Sequence, residues 1–166
     1  HVKAKMENKE FPSTYFFVND SLSYAQIIQP TGNYGYNEIL AKWSYVTDKI
    51  TPLYQHPKIE KRRVVFTVSL ENKLYVECYL YHDLLTICDL DGNLIHNVYG
   101  PNWDHKKSNK TIHFSKVIVA KNRIIAAYSG GENFNDDEKT DKLLVFDIKG
   151  DYIKTLEIGY RIVDMC

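Results

Sequence analysis

The sequence lacks most of the features that announce a chemistry. Its three cysteines, Cys78, Cys88 and Cys166, are odd in number and have no metal-ligand spacing. That argues against a disulfide framework or a zinc knuckle and leaves free thiols as the plain reading. Lysine and arginine total 21, and so do aspartate and glutamate, so no net field draws the chain to a nucleic-acid backbone or an anionic membrane. No apolar run reaches the roughly 18 residues that a helical membrane span requires. HExxH, GxSxG and CxxC are all missing, which removes the usual signatures of a zinc hydrolase, a nucleophile elbow and a redox dithiol.

What is present is a repeat. The stretch RVVFTVSLENKLYVECYLYHDLLTICDLDGNLIHNVYG, from Arg63 to Gly100, holds four short apolar or alternating runs separated by turn residues. KVIVAKNRIIAAYSG and, after an insertion, DKLLVFDIKGDYIKTLEIG follow the same order. Asn72, Lys73, Leu74 and Tyr75 align with Asn122, Arg123, Ile124 and Ile125 at an offset of 50, and Asp89, Gly92 and Ile95 with Asp147, Gly150 and Ile153 at an offset of 58. A fainter upstream copy places Ile39, Trp43, Ile50 and Tyr54 over Leu84, Cys88, Ile95 and Tyr99 at an offset of 45. Units of this length, each with four strand-like runs, predict blades of a β-propeller. The 13 tyrosines and the many valines and isoleucines suit pleated surfaces.

The expected fold is therefore all-β: four-stranded antiparallel blades over about 11–54, 63–100 and 113–158, with 161–166 opening like the first strand of a fourth blade. Asp91-Gly92 and Lys149-Gly150 mark hairpin turns, because glycine readily takes a positive φ. Gln29 to Asn37 and Ser129 to Asp141 are expected as loops, since Pro30, Gly32 and Gly35 break the first and polar residues fill the second. Three blades are fewer than the roughly four to eight of a closed propeller. An isolated arc would leave two blade faces bare, lined by residues such as Phe16, Val18, Val145 and Ile148. At roughly 25 cal/mol per Å² that forgoes on the order of 10 kcal/mol. The missing blades are then expected from the rest of a longer chain or from another copy.

The strand and turn pattern YHDLLTICDLDGNLIHNVYGPNW, followed by RIIAAYSGG and KLLVFDIKGDYIKTLEI, resembles the TolB-like six-bladed propellers of bacterial cell envelopes. The resemblance spans most of the chain and rests on strand and turn signatures that other propellers share. It implies a periplasmic or lipid-anchored setting and brings no catalytic residue with it.

In a propeller, turns after the first and third strands share one face and connections after the second and fourth share the other. The first set is short here. The second holds the long connections, and a binding surface is expected among them. Its candidates are Tyr34, Tyr36, His82, Asp83, Trp103, Asp104, His105, Asn133 and Phe134. Trp103 to His105 with Lys106, Lys107 and Lys110 suit an anion or a sugar; a solvated loop has the same composition. Asn133, Asn135, Asp136, Asp137 and Glu138 offer oxygen ligands without the spacing of a calcium loop. The function expected is non-catalytic binding or scaffolding of a protein or glycan, without cofactor, metal or nucleic acid. Two alternatives stand beside it. One is a metal-dependent, lactonase-like hydrolase at the channel mouth, for which His56, His82 and His105 lie on the right face. The other is a purely structural piece of a larger assembly.

Overall fold

The computed structural model describes residues 11–32, 35–106, 110–133 and 140–166. Twelve strands follow one another: β1 (Phe11–Asn19), β2 (Leu22–Gly32), β3 (Gly35–Ser44), β4 (Lys49–Pro52), β5 (Val64–Ser69), β6 (Leu74–Tyr79), β7 (Leu84–Asp89), β8 (Leu94–Tyr99), β9 (Thr111–Ala120), β10 (Arg123–Glu132), β11 (Lys142–Asp147) and β12 (Tyr152–Glu157). They form three four-stranded antiparallel sheets, β1 to β4, β5 to β8 and β9 to β12, each pairing its strands in chain order. Among the described residues there is no helix.

Two apolar layers join the sheets. Tyr24, Leu40 and Leu53 of the first meet Val68, Tyr75 and Cys88 of the second. Leu74, Val76, Leu85 and Ile87, on the other face of the second sheet, meet Phe114, Ile124 and Phe146 of the third. The middle sheet is thus apolar on both faces, and every residue of β6 is buried. Full burial of each large aliphatic side chain is worth roughly 1.5–3 kcal/mol.

The repeat survives in the turns. Asp89 Oδ1 accepts from the N–H groups of Asp91 and Asn93 at 2.9 and 2.8 Å, and Asp147 Oδ1 accepts from Lys149 and Asp151 at 2.8 and 3.0 Å. Hydrogen bonding with Asn93 in the first case and Asp151 in the second holds each carboxyl below its usual range. Each loop turns on a glycine in the left-handed region, Gly92 at φ 91° and Gly150 at φ 94°. A Cβ on Gly150 would stand 2.7 Å from Val98 Cγ2 of the neighbouring sheet. Gly150→Ala therefore combines backbone strain with a clash, and should lower stability by about 2 kcal/mol in a denaturant titration.

The alignment of β6 with β10 needs a correction. Leu74 pairs with Asp89 and Tyr75 with Cys88, whereas Arg123 pairs with Asp147 and Ile124 with Phe146. With Asp89 and Asp147 equivalent, Tyr75 corresponds to Ile124, one residue less than the offset of 50. The turn lengths explain the slip: four residues separate the paired Ser69 and Leu74, but two separate Ala120 and Arg123. A one-residue slip exchanges the two faces of a strand, and the paired register has Tyr75 and Ile124 each facing the preceding sheet. The upstream offset of 45 holds for Leu40 and Leu85, each facing the following sheet, but not for Ile50 and Ile95: Trp43 pairs with Ile50, whereas Cys88 pairs with Leu94 across a bulge in β8.

Other expectations also change. The predicted loop at 29–37 is mostly ladder, with Gln29 opposite Asn37 and Pro30 opposite Tyr36; a register shift follows at Pro30, and Gly32 takes φ 77°. β10 extends to Glu132 by pairing with Thr111, which removes the first part of the loop predicted from Ser129. Phe16 and Val18 face the second sheet, not the open side. Strand alternation puts Tyr15 and Phe17 outward instead, at 64% and 55% exposure. Ile148 packs into the layer between the second and third sheets. Val145 is on the far face of the third sheet but is buried. Residues 161–166 form no strand; Ile162 N–H donates to the Thr140 carbonyl at 2.7 Å, and Asp164 reaches Lys116 of β9 at 3.1 Å.

Candidate functional site

Among the described residues, the connections after β4, β6 and β8 come together at one end of the sheets. Leu80 N–H donates to Arg63 C=O and Leu80 C=O accepts from His113 N–H, both at 2.8 Å, so the entries to β5 and β9 are tied to the corner after β6. Arg62 secures the long connection before β5. Its backbone N–H donates to Asn37 Oδ1 at 3.0 Å, and its guanidinium donates to Gln55 Oε1 at 2.6 Å and to the His56 carbonyl at 3.3 Å.

Four rings gather there. Trp103 lies 4.9 Å from Tyr99, 5.4 Å from His56 and 6.0 Å from His82, centroid to centroid, and packs on the buried group Ile59, Val64, Tyr79 and Leu84. Trp103 is thus half-buried and engaged on several sides, which anchors the loop. His56 Nδ1 accepts from Lys58 N–H at 3.3 Å, so Nε2 carries the hydrogen that reaches Tyr99 Oη at 3.2 Å. Burial, helped by Lys58, Arg62 and His82, lowers the His56 pKa and favours that neutral ring. His82 is buried and donates from Nδ1 to the Asp104 carbonyl at 3.0 Å. Its Nε2 has no hydrogen-bond partner.

Asp83 is the second centre. Its carbonyl accepts from Gly100 N–H at 2.8 Å and its Oδ2 from Asn102 N–H at 3.0 Å. Its Oδ1 lies 3.9 Å from His113 Nδ1, which is 3.5 Å from the Tyr128 hydroxyl. Burial lowers the His113 pKa, with Asp83 opposing it and His82 adding to it. Burial, then the Asp83 charge, pushes Tyr128 up to about 12. The node is a buried carboxylate, an imidazole favoured as neutral and a protonated phenol. Only glycine fits at position 100, because a Cβ there would lie 2.2 Å from the Asp83 carboxyl atoms.

Two clefts open beside these residues. One of about 320 Å³ is lined by Tyr81, His82, Asn102, Asp104, Lys106 and His113, among others. The other, of about 390 Å³, lies between His82 and the exposed Lys58, Glu60, Lys61, His105 and Lys106. The chemistry they offer is recognition through amide, carbonyl and ammonium groups. No group of three histidine, cysteine or acidic side chains is placed to hold a metal among the described residues.

Of the predicted residues, the structure brings His82, Asp83, Trp103 and Asp104 together, with His105 exposed beside Asp104 at 3.6 Å. Tyr36 stands apart, under the Arg63 guanidinium at 3.4 Å from its ring centroid. Asn133 N–H donates to the Lys110 carbonyl. Tyr34, Phe134, Asn135, Asp136, Asp137, Glu138 and Lys107 lie outside the described residues. Tyr99, Gly100, His113 and Tyr128 were not among the candidates. Asp83, His113 and Tyr128 stand far apart in the chain and on three different strands or corners, so only the packing of one sheet on the next assembles them. Models of known protein families were compared with the chain and none matches, and none of the curated proteins compared with it matches either.

Proposed function

We propose that the three sheets are blades of a β-propeller and that the chain is a non-catalytic binding module whose partner docks on the end formed by the long connections. The blade reading is supported by the repeated four-strand order, by β9 lying against β5 and β6, and by entry segments that reach back to the preceding sheet. The six-bladed, TolB-like form and a bacterial cell-envelope setting belong to the same proposal, as does supply of further blades by a longer chain or another copy.

The observation that carries the binding reading is the asymmetry of the two ends. One end has only tight turns, such as the four residues between Ser69 and Leu74 and the two between Ala120 and Arg123. The other has the ring cluster around Trp103, packed on Ile59, Val64, Tyr79 and Leu84, beside connections tied down by Arg62 and Leu80, and two clefts with mixed polar walls. Rigid rings flanked by adaptable polar groups suit protein or glycan recognition.

Photo-crosslinking from single sites tests the reading. A crosslinker at Lys106 should capture one partner repeatedly, whereas one at Asn72 on the turn end should not. Equal capture from both ends would overturn it. Stoichiometric metal, with loss of the fold or of an activity on chelation, would favour a metal-dependent hydrolase instead.

A further inference from the structure

A third cleft, of about 380 Å³, lies between the second and third sheets on the other side of the Asp83 node. Leu85, Val98, Phe114, Leu144 and Phe146 form apolar walls. Tyr99 and Tyr152 line its exposed end, at 49% and 59% exposure, while Asp83, 2% exposed, lines its buried end. Among the described residues that line it, Asp83 is the only charged one.

We propose that this cleft binds a small organic cation, a primary ammonium group on an aryl or short alkyl body. The body would fill the apolar walls and the ammonium would reach the Asp83 carboxylate. That carboxylate accepts hydrogen bonds from two neutral donors, Asn102 N–H and the Tyr128 hydroxyl, and the one basic side chain at its edge, His113, is driven by burial toward its neutral form. A buried carboxylate without a full counter-charge is costly, and a ligand cation supplies the missing charge. The rings of Tyr99, Phe114, Tyr128, Phe146 and Tyr152 line the same cleft, and aromatic π-faces attract ammonium groups. An anionic ligand of the same shape meets the carboxylate and is rejected. The cleft shares Tyr99 and Asp83 with the loop end, but amine titration and partner crosslinking read different events, so failure of either leaves the other standing.

The test uses 2-phenylethylamine as the probe, with 2-phenylethanol and phenylacetate as neutral and anionic comparators, titrated by calorimetry against the whole chain. The amine should bind at least about tenfold more tightly than the alcohol, and phenylacetate should bind most weakly. Asp83→Asn, folded by circular dichroism, should erase the preference for the amine while alcohol binding persists. Thr155→Trp, at an exposed position in the cleft wall, should weaken amine and alcohol together and serves if the Asp83 variant fails to fold. Absence of amine binding, equal affinity for amine and alcohol, a preference that survives Asp83→Asn, or indifference to Thr155→Trp would each overturn the proposal.

Discussion

Gly100→Ala is expected to destabilise the protein by about 3 kcal/mol, although it adds a single methyl group. The added Cβ would stand 2.2 Å from Cγ, Oδ1 and Oδ2 of Asp83, far inside contact distance, so the carboxyl must move. It has little room to do so, because Asp83 is only 2% exposed and Oδ2 is held by Asn102 N–H. Displacing it breaks the Asn102 bond and leaves a buried charge without that partner, which is the expensive kind of loss. Urea titration of the two proteins measures the difference. A double-mutant cycle with Asp83→Ala locates its cause, since removing the carboxyl should abolish most of the penalty for the methyl group. A cost under about 1 kcal/mol, or one unchanged by Asp83→Ala, would show that the carboxyl relocates freely or that the strain lies elsewhere.

The second large effect is a pH dependence centred on Glu77. This residue is on β6, 3% exposed, on the face that carries Tyr75 and Tyr79. Tyr79 Oη is at 3.5 Å from its Oε2. Burial raises its pKa from 4.5 to about 7, with Arg62 and the Tyr79 contact pulling the other way. Between those two values the folded protein keeps a proton that the unfolded chain has released. Stability from this group is therefore full below about pH 4.5, falls as pH rises through the window, and levels off above pH 7, a loss of roughly 3 kcal/mol. His56 and His113 act in the opposite direction. Their pKa values are lowered from 6.5, so the unfolded chain binds protons first as pH drops and stability is lost on that side. Glu77→Gln separates the contributions. It should remove the decline between pH 4.5 and 7 and leave a protein more stable than wild type at pH 8 by roughly 3 kcal/mol. Parallel stability profiles for the two proteins would mean that Glu77 is ionised or solvated in the folded state.

Tyrosine in place of phenylalanine or leucine adds a polar handle to several of these interior faces, and the consequences could not be read along the chain. LYVECYL reads as an ordinary buried strand with one charged interruption. The partners that make Glu77 tolerable, Arg62 and Tyr79, come from a connection and from the strand's own far end. His82 and Asp83 could be singled out because they sit together at a corner of the repeat. His113 could not, because it sits within a strand between the apolar Ile112 and Phe114, and its proximity to Asp83 exists only across the junction between two sheets.

The sequence by itself determined the local plan. Alternating apolar runs, Asp-x-x-Gly turns at 89–92 and 147–150, and the recurrence of both dictate short antiparallel strands in groups of four, because side-chain alternation and positive-φ glycines act within a few residues. It also marked the end of the molecule where the long connections lie. Tertiary structure decided the rest. Whether Tyr75 corresponds to Ile124 or to Ile125 depends on cross-strand register, which turn lengths set and a similarity of letters cannot. Whether Phe16 or Phe17 is covered depends on which face the second sheet takes. The Asp83 node and the cleft beside it are built from strands of two sheets, and only the packing of those sheets brings their side chains within reach of one another.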